Sequence, residues 1–327
     1  MTKFHVYGVG NALVDVEYRI SLEDLRALGL IKGSRRLIDQ PECEALIAAM
    51  MSYPCRRISG GSVANSLVAI SQLGGSACFA GAVAADEAGH FYLQDLVAQG
   101  VMAVHTPLSK GATGECFVFV TPDADRTLRT FLGVSGDLTF GESNRERIAE
   151  SNYVFLEGYL ASTEVSCAVA SVTLETAVAA GVKTALSLSD ISVIESHRDA
   201  LEALLYRPVS VLFANEREAL HMVGAAHLKS ALPGLQQLAD CFCITRGAEG
   251  VLLFDGERYI DIPAKKVTAV DTNGAGDMFA GAFLYGLTQG MTVEQAGELA
   301  VKSSAKVVSA FGPRLNAVEL KRLSREG

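Results

Sequence analysis

A glycine-rich turn with an aspartate at each end, Asp271-Thr272-Asn273-Gly274-Ala275-Gly276-Asp277, precedes an apolar stretch that predicts a helix. The free backbone amides of Gly274, Ala275 and Gly276 would lie at the helix start, where the helix dipole favours the negative charge of a phosphate. Asp277 lies in the first helical turn and can accept a proton from a hydroxyl group that attacks phosphorus. The pattern is equally that of a plain strand-to-helix turn with an acidic first turn, so the residues alone leave both interpretations open.

A second glycine turn, Ser59-Gly60-Gly61-Ser62, leads into a predicted helix that contains Asn65. A glycine pair lets backbone amides approach a polyol closely, and the Asn65 amide can hydrogen-bond to its hydroxyl groups. A helix cap by Ser62 explains the same segment without a ligand.

A third candidate, Asn215 followed by Glu218, comes directly after a predicted strand at 209–214. An asparagine at the cap with a glutamate three residues on is a variant of the capping box. In the functional interpretation, the same carboxylate lies at the carboxyl end of a sheet strand and holds water bound to a metal ion.

Two familiar phosphate-binding motifs are missing from the sequence. No Gly-Lys dipeptide occurs, which excludes a P-loop. Gly8-Val9-Gly10 begins like a dinucleotide fingerprint, but the third glycine is absent and the next segment alternates like a strand. A nicotinamide-dependent oxidoreductase is therefore disfavoured.

Composition excludes several classes of protein. The net charge of −9, with 20% charged residues, argues against a nucleic-acid partner and against a disordered acidic chain. Apolar stretches are broken within about ten residues, against the roughly 20 that span a bilayer, and a signal peptide is not evident. The seven cysteines include no C-x-x-C pair, which predicts reduced thiols. We expect a soluble cytoplasmic protein with no membrane partner.

The elements that must position these residues follow two patterns. From about residue 151, apolar strands at 153–156, 184–188, 209–214 and 242–245 alternate with helices at 164–180, 197–206 and 215–239, which predicts a parallel sheet covered on both faces. Short strands are predicted at 250–254, 257–262 and 267–271, and helices at 62–73, 86–99, 275–289 and 292–310. A turn at 122–125 predicts a hairpin between Glu115–Val120 and Arg126–Phe131. We predict an α/β core of residues 1–12, 41–102 and 133–327, and a small β lid of residues 13–40 and 103–132.

Taken together, these segments resemble the PfkB-type carbohydrate kinases of the ribokinase-like superfamily. Asp271 to Asp277 matches the D-T-x-G-A-G-D signature at every fixed position, Gly60-Gly61 with Asn65 matches the amino-terminal glycine motif, and Asn215 with Glu218 matches N-x-x-E. Two further patterns look like those of adenosine kinases. They are Gly8 to Asp15, similar to G-x-G-N-x-L-x-D, and Ser59 to Ser66, similar to G-G-S-x-x-N-S.

The resemblance implies a ribokinase-like α/β fold, with a mostly parallel central sheet flanked by helices and a β lid. It also implies ATP-dependent phosphorylation of a primary hydroxyl group, with Asp277 as base and the Gly274, Ala275 and Gly276 amides on the phosphoryl group. The resemblance to adenosine kinases favours the 5′-hydroxyl group of adenosine as the acceptor. A sugar kinase for ribose or a related polyol, or a kinase for inosine or guanosine, stays the alternative. A binding protein without activity is disfavoured, because the signature is intact.

The remaining roles are carried over from the family. The nucleoside ribose would lie against Asn11, Asp15, Gly60, Gly61 and Asn65, and Tyr159 is the candidate for the base. Arg126, or Arg129 expected on the same strand face, would reach the phosphate. The nucleotide would contact Asn215, Thr245, Gly247, Gly250 and Asn273, with Ala305 or Val308 beside the adenine.

Magnesium is expected on the ATP phosphates, held through water by Glu218 and Asn215, and a monovalent cation such as K⁺ near the signature is left open. The segment Leu186-Ser187-Leu188-Ser189 is a departure, since it has serine where many members carry an asparagine near the phosphates. The partner would be a small nucleoside or sugar, and the chain a monomer or a homodimer.

Overall fold

The computed structural model describes residues 3–104, 110–123, 125–315 and 318–320. Parts of the predicted lid segment 103–132, including Ala124 of the predicted turn, lie outside the described residues. In chain order the helices are α1 (Leu22–Ala27), α2 (Gln40–Met50), α3 (Ser62–Leu73), α4 (Glu87–Ala98), α5 (Glu142–Ala149), α6 (Glu164–Ala179), α7 (Ile191–Ser196), α8 (Arg198–Leu204), α9 (Glu216–Val223), α10 (Leu228–Leu238), α11 (Ala275–Thr288) and α12 (Val293–Val308).

A nine-stranded sheet forms the centre of the molecule. Its strands, in spatial order, are β14 (Tyr259–Ile262), β13 (Val251–Phe254), β12 (Ala239–Thr245), β11 (Val209–Asn215), β10 (Lys183–Ser187), β9 (Ser151–Glu157), β1 (Phe4–Val9), β5 (Ala77–Ala80) and β6 (Val101–Val104). Neighbours from β12 to β6 pair in parallel, whereas β13 and β14 form an antiparallel extension. The predicted mostly parallel sheet flanked by helices is confirmed.

Alternating residues of this sheet enter two apolar cores, one on each face. On β1, Val6 packs in the core that α3, α11 and α12 cover, while its neighbour Tyr7 packs in the core on the side of α5, α6 and α10. Both residues are fully buried. Strands covered on both faces read as continuous apolar runs, which is the pattern the sequence shows here.

A second, five-stranded sheet has the order β3 (Arg35–Leu37), β8 (Arg126–Phe131), β7 (Gly114–Val120), β2 (Leu13–Arg19) and β4 (Cys55–Gly60). The predicted hairpin corresponds to the antiparallel pair β7 and β8. The residues that form the small sheet differ from those predicted for the lid at two places. Strand β4 pairs with β2, although its residues were assigned to the core, and residues 103–104 belong to β6 of the large sheet.

Two local predictions were wrong. Residues 267–271 form no strand; the backbone N–H groups of Val270 and Asp271 instead donate to the Val308 carbonyl at the end of α12. The single helix predicted over 215–239 is two helices, because Gly224 ends α9 in the left-handed conformation, with φ of 65°. Among the described residues, no helix has the length and apolar character needed to cross a membrane.

Candidate active site

Helix α11 begins directly after the signature turn. Its cap, Gly274, has φ of 73°, and a Cβ there would lie 2.5 Å from the Cβ of Pro313, so only glycine fits. A Cβ added to Gly276 would meet no atom within 4 Å. Gly276 is exposed, so the amino terminus of α11 is open to solvent at this residue, as a helix terminus that receives an anion requires. The N–H group of Ala275 donates to the Thr272 carbonyl at 3.4 Å.

Asp277 lies in the first turn of α11 and is held by hydrogen bonds from α3. The Ser62 hydroxyl donates to Oδ1 at 2.6 Å, and the Asn65 amide nitrogen donates to Oδ2 at 2.9 Å. Burial raises the pKa of Asp277 above its ordinary value, while these hydrogen bonds and the charge of Arg314 act in the opposite direction. The carboxylate is oriented by donors that stabilise its ionised form, which suits a base.

Asp15 on β2 forms the lid side of the same site. A Cβ on Gly60 of β4 would lie 2.3 Å from the Asp15 Cγ, so glycine makes room for this carboxyl group. Burial raises the pKa of Asp15 to about 7, against the opposing charge of Arg314. The negative charge of Asp277 contributes to the same rise, which places the two carboxyl groups in one electrostatic site.

The glycine turn before α3 is fastened to the core by Glu157, which sequence reasoning missed. Glu157 ends β9, is 1% exposed, and accepts the backbone N–H of Asn11 at 2.8 Å and of Val63 at 3.0 Å. Burial raises its pKa to about 7 in spite of these hydrogen bonds. Gly61, with φ of 97°, places its α-carbon against the Asn11 carbonyl, since a Cβ would lie 2.4 Å from that oxygen. The signal available in the sequence was Glu157 itself, a carboxylate at the end of an apolar strand.

Arg314 is the second residue that the sequence analysis missed. It follows α12 and reaches back to α3, where its Nε donates to the Asn65 Oδ1 at 2.9 Å. Burial lowers the pKa of its guanidinium, against nearby carboxylates that include Asp15 and Asp277. The available signal was the sequence Gly312-Pro313-Arg314 a few residues after α12, a turn that carries a cationic side chain.

The predicted lid arginine, Arg126 on β8, is 9% exposed in its side chain and is ion-paired to two carboxylates. It donates to Asp271, the first residue of the signature, and lies 3.6 Å from Glu17. Arg129 is not on the same face as predicted. It lies three residues on, an odd offset that turns a strand side chain over, and donates to the carbonyls of Ser34 and Leu128.

The residues predicted for the nucleotide lie along the carboxyl end of β11 and β12. Asn215 and Thr245 are direct partners across these strands. Gly247 and Gly250 follow Thr245 with positive φ of 58° and 102°. Asn273 is fixed through its backbone N–H, which donates to Asp271 at 2.9 Å.

Three more predicted residues take defined positions. Ala305 and Val308 lie on α12, which packs along α11, although the Val308 carbonyl is engaged by the loop before the signature. Tyr159 follows β9 and packs half-buried against the core on the side of α5, α6 and α10. Burial raises its pKa, and neighbouring acidic groups that include Glu157 raise it further.

Glu218 is 6% exposed and points at its own helix cap. Its carboxylate accepts the Asn215 backbone N–H at 2.9 Å and the Asn215 side-chain amide, and the Glu218 N–H donates back to Asn215 Oδ1. The capping box of the local interpretation is thus formed. Within the described ranges, no three His, Cys, Asp or Glu side chains cluster closely enough to hold a metal ion.

Comparison with known proteins places this site in context. The model of the "pfkB family carbohydrate kinase" matches residues 55–319. A ribokinase of Lactococcus lactis is 28% identical over 278 residues, which cover 81% of this chain and 85% of that protein. The solved structure of an adenosine kinase from Sinorhizobium meliloti has a TM-score of 0.89 and 31% identity, covering 99% of both chains. That of a "probable sugar kinase protein" from Rhizobium etli has a TM-score of 0.90 and 30% identity, covering 100% of this chain and 99% of the other.

Proposed function

The chain belongs to the pfkB family of carbohydrate kinases, and from this premise we propose that it transfers the γ-phosphoryl group of ATP to the 5′-hydroxyl group of adenosine, giving AMP and ADP. The kinase class, with an alcohol as acceptor, follows from the family. The choice of adenosine is the proposal. It is supported by the adenosine kinase that is 31% identical across nearly the whole chain, and by the two adenosine-kinase-like patterns of the sequence.

One observation carries the mechanism: Asp277 is held by Ser62 and Asn65 beside the open amino terminus of α11. A carboxylate fixed by two donors keeps its free lone pairs in a defined direction. It takes the proton from the attacking hydroxyl group as the bond to phosphorus forms. The amides of Gly274, Ala275 and Gly276, together with the helix dipole, stabilise the charge on the phosphoryl oxygens. Phosphoryl transfer requires chiefly such positioning and charge neutralisation.

Asp15 is the residue we assign to the acceptor. A carboxylate has two oxygens that can accept from two neighbouring hydroxyl groups, which suits the vicinal diol of a ribose. Asp15 lies in the small sheet, Asn65 in the core, and both lie close enough to Arg314 to be influenced by it. A ribose bound between them would bridge the two sheets and place its primary hydroxyl group near Asp277.

At the carboxyl end of β11, where the nucleotide is expected, magnesium fits only as an ion held mainly by phosphate and water. The carboxylate of Glu218 is committed to its cap, and no cluster of three ligand side chains was found among the described residues. Mg²⁺ gives up water reluctantly and commonly has few protein ligands in nucleotide sites. Asn215 and Glu218 would hold it through water, and the ion would neutralise phosphate charge when bound.

A sugar kinase is the second candidate. The ribokinase and the sugar kinase named above are as similar to this chain as the adenosine kinase is, to within a few per cent identity. Asp15, Gly60 and Asn65 can contact hydroxyl groups only, so they would also serve ribose, a related polyol, inosine or guanosine. The base side of the pocket decides between these acceptors, and Tyr159 is our candidate there.

The test is ADP release with Mg-ATP across adenosine, inosine, guanosine, ribose, fructose and fructose 6-phosphate. Asp277→Asn is expected to abolish turnover with the preferred acceptor, and the exposed Asp240→Asn is the matched control. A strong preference for adenosine supports the proposal. A preference for a free sugar keeps the mechanism and transfers the function to the second candidate, whereas near-normal turnover by Asp277→Asn would overturn the assignment of the base.

A further inference from the structure

Arg314 holds the amide of Asn65 in one orientation. All polar hydrogens of a guanidinium are donors, so the Asn65 atom that faces the Arg314 Nε must be the oxygen. The nitrogen of the same amide then points the other way, and it donates to the Asp277 Oδ2 at 2.9 Å. A rotated amide would place its oxygen against a carboxylate and its N–H group against a cation, which costs two hydrogen bonds between charged partners.

The guanidinium is itself anchored on its far side. Its Nη1 lies 3.2 Å from the Ser59 hydroxyl and 3.5 Å from Asp95 on α4, and its Nη2 donates to the Ser59 carbonyl. Asp95 in turn accepts the Ser59 backbone N–H at 2.8 Å and its hydroxyl at 2.7 Å. The side chain of Arg314 is 7% exposed. These contacts leave the Nε with a single direction, towards Asn65.

We propose that Arg314 is a positioning residue for phosphoryl transfer, which acts through Asn65 to aim the carboxylate of Asp277. This inference rests on the proposed function, since it concerns the base of that reaction. It also explains why one arginine from the end of the chain is buried among residues of β4, α3 and α4. Arg314 links the strand that precedes the glycine turn, the helix that follows it and the base, so all three keep one relative arrangement.

The charges around Asp277 give this arrangement a second consequence. Among the residues that the structure describes, the titratable and charged groups that interact electrostatically with Asp277 are Asp15 from β2, Glu157 and Tyr159 from the end of β9, and Arg314. Arg314 is the only cation among them, and it lowers the pKa of Asp277. Removing its charge raises that pKa. Because the base must be ionised, the acid limb of the rate profile then moves to higher pH.

The experiment compares Arg314→Met, which removes donors and charge, with Arg314→Lys, which restores the charge without the planar fork. The exposed surface variant Arg258→Met is the control. For Arg314→Met we expect kcat to fall on the order of 10-fold to 100-fold, because small misplacements of a reacting group lower rates by such factors. The KM for ATP should be nearly unchanged, and the acid limb should move up by about one pH unit. For Arg314→Lys we expect the acid limb of the pH–rate profile to return towards its wild-type position, while kcat stays low.

A double-mutant cycle shows whether Arg314 acts through Asn65. The loss from Arg314→Met should largely disappear in an Asn65→Ala background, because the amide that it positions is gone. Additive losses would contradict the proposal, as would a wild-type kcat and pH profile in Arg314→Met. Thermal unfolding of each variant identifies any loss that comes from misfolding.

A readout that needs no turnover separates this inference from the proposed function. The side-chain amide of Asn65, assigned by its absence in Asn65→Ala, should show one proton protected from solvent exchange and sensitive to the ionisation of Asp277. In Arg314→Met that proton should lose its protection, and in Arg258→Met it should keep it. An unchanged Asn65 signal in a folded Arg314→Met protein would overturn the inference, whether or not any acceptor on the panel is phosphorylated.

Discussion

Arg126 of the small sheet and Asp271 of the signature turn form a buried ion pair, although 145 residues separate them in the sequence. Asp271 also accepts the backbone N–H of Asn273 and of Gly312, at 2.9 Å and 2.7 Å. One carboxylate thus joins the small sheet, the signature turn and the loop that leads to Arg314. This ion pair connects β8 of the small sheet to the signature turn, where we propose that the phosphate binds.

Removing this arginine is expected to destabilise the fold strongly. In Arg126→Met, Asp271 and Glu17 would remain buried without their cation, which costs about 3–5 kcal/mol for such pairs. Arg258→Met breaks only exposed pairs and should cost less than about 1 kcal/mol. Urea unfolding measures both. Equal losses in the two variants would show that the buried pair contributes no more than a surface pair.

Gly276→Ala is expected to separate stability from activity. The added methyl group meets no atom within 4 Å, and alanine is favoured over glycine in a helix by up to about 1 kcal/mol. The melting temperature should stay level or rise. Turnover should fall, because the methyl group enters the space in which we place the phosphoryl group. Unimpaired turnover in a stable variant would remove this helix terminus from the phosphate site.

Gly60→Ala should affect the acceptor rather than ATP. Its Cβ would lie 2.3 Å from the Asp15 Cγ, so the carboxyl group must shift. We expect the KM for the acceptor to rise and kcat to fall, because misplaced hydroxyl groups lose their reactive geometry. Gly141→Ala, at an exposed position with room for a methyl group, is the matched control. Initial rates at varied acceptor and at varied ATP distinguish the two substrates.

Glu218→Gln tests the magnesium assignment apart from the helix cap. Glutamine can close a capping box as glutamate does, so the melting temperature should change little. The lost charge should weaken the hold on metal-bound water and raise the magnesium concentration that gives half-maximal rate. If the magnesium dependence of Glu218→Gln equals that of the wild type, Glu218 serves the cap alone.

Glu157 makes stability depend on pH. Its pKa is raised from 4.5 to about 7 in the folded protein, so the unfolded chain releases this proton at lower pH than the folded chain does. The contribution to the free energy of unfolding is therefore fully present below about pH 4.5 and is lost as the pH rises through 7. Asp15, also with a pKa of about 7, acts in the same sense.

Glu157→Gln should therefore flatten the decline in stability between these pH values without removing the part due to Asp15. The exposed Glu142→Gln should leave the decline as it is in the wild type. Urea midpoints measured at several pH values provide the comparison. A slope in Glu157→Gln as steep as in the wild type would contradict the assignment of this group.

Much of the site could be predicted because its parts are local. A glycine turn, a cap and the first turn of a helix are determined by residues within about four positions of one another, so Gly274, Asp277, Asn215 and Glu218 occupy the elements that the sequence predicts. A local pattern gives a wrong prediction where a contact with a distant element decides the local structure. The sequence predicts a strand at 267–271, but the N–H groups of Val270 and Asp271 donate to the Val308 carbonyl at the end of α12, which no short pattern contains.

The sequence by itself determined the turns, the caps, the apolar strands and the order in which the family motifs occur. Only the tertiary structure decided that Asn65 would meet Asp277 across 212 residues, and that Arg314 would meet Asn65 across 249. These contacts depend on the order of strands in the sheet and on how α3 packs against α11, which bury apolar area cooperatively over the whole chain. Period and spacing report the face that a residue occupies within its own element. The partner on that face is set by the packing of elements that are distant in sequence.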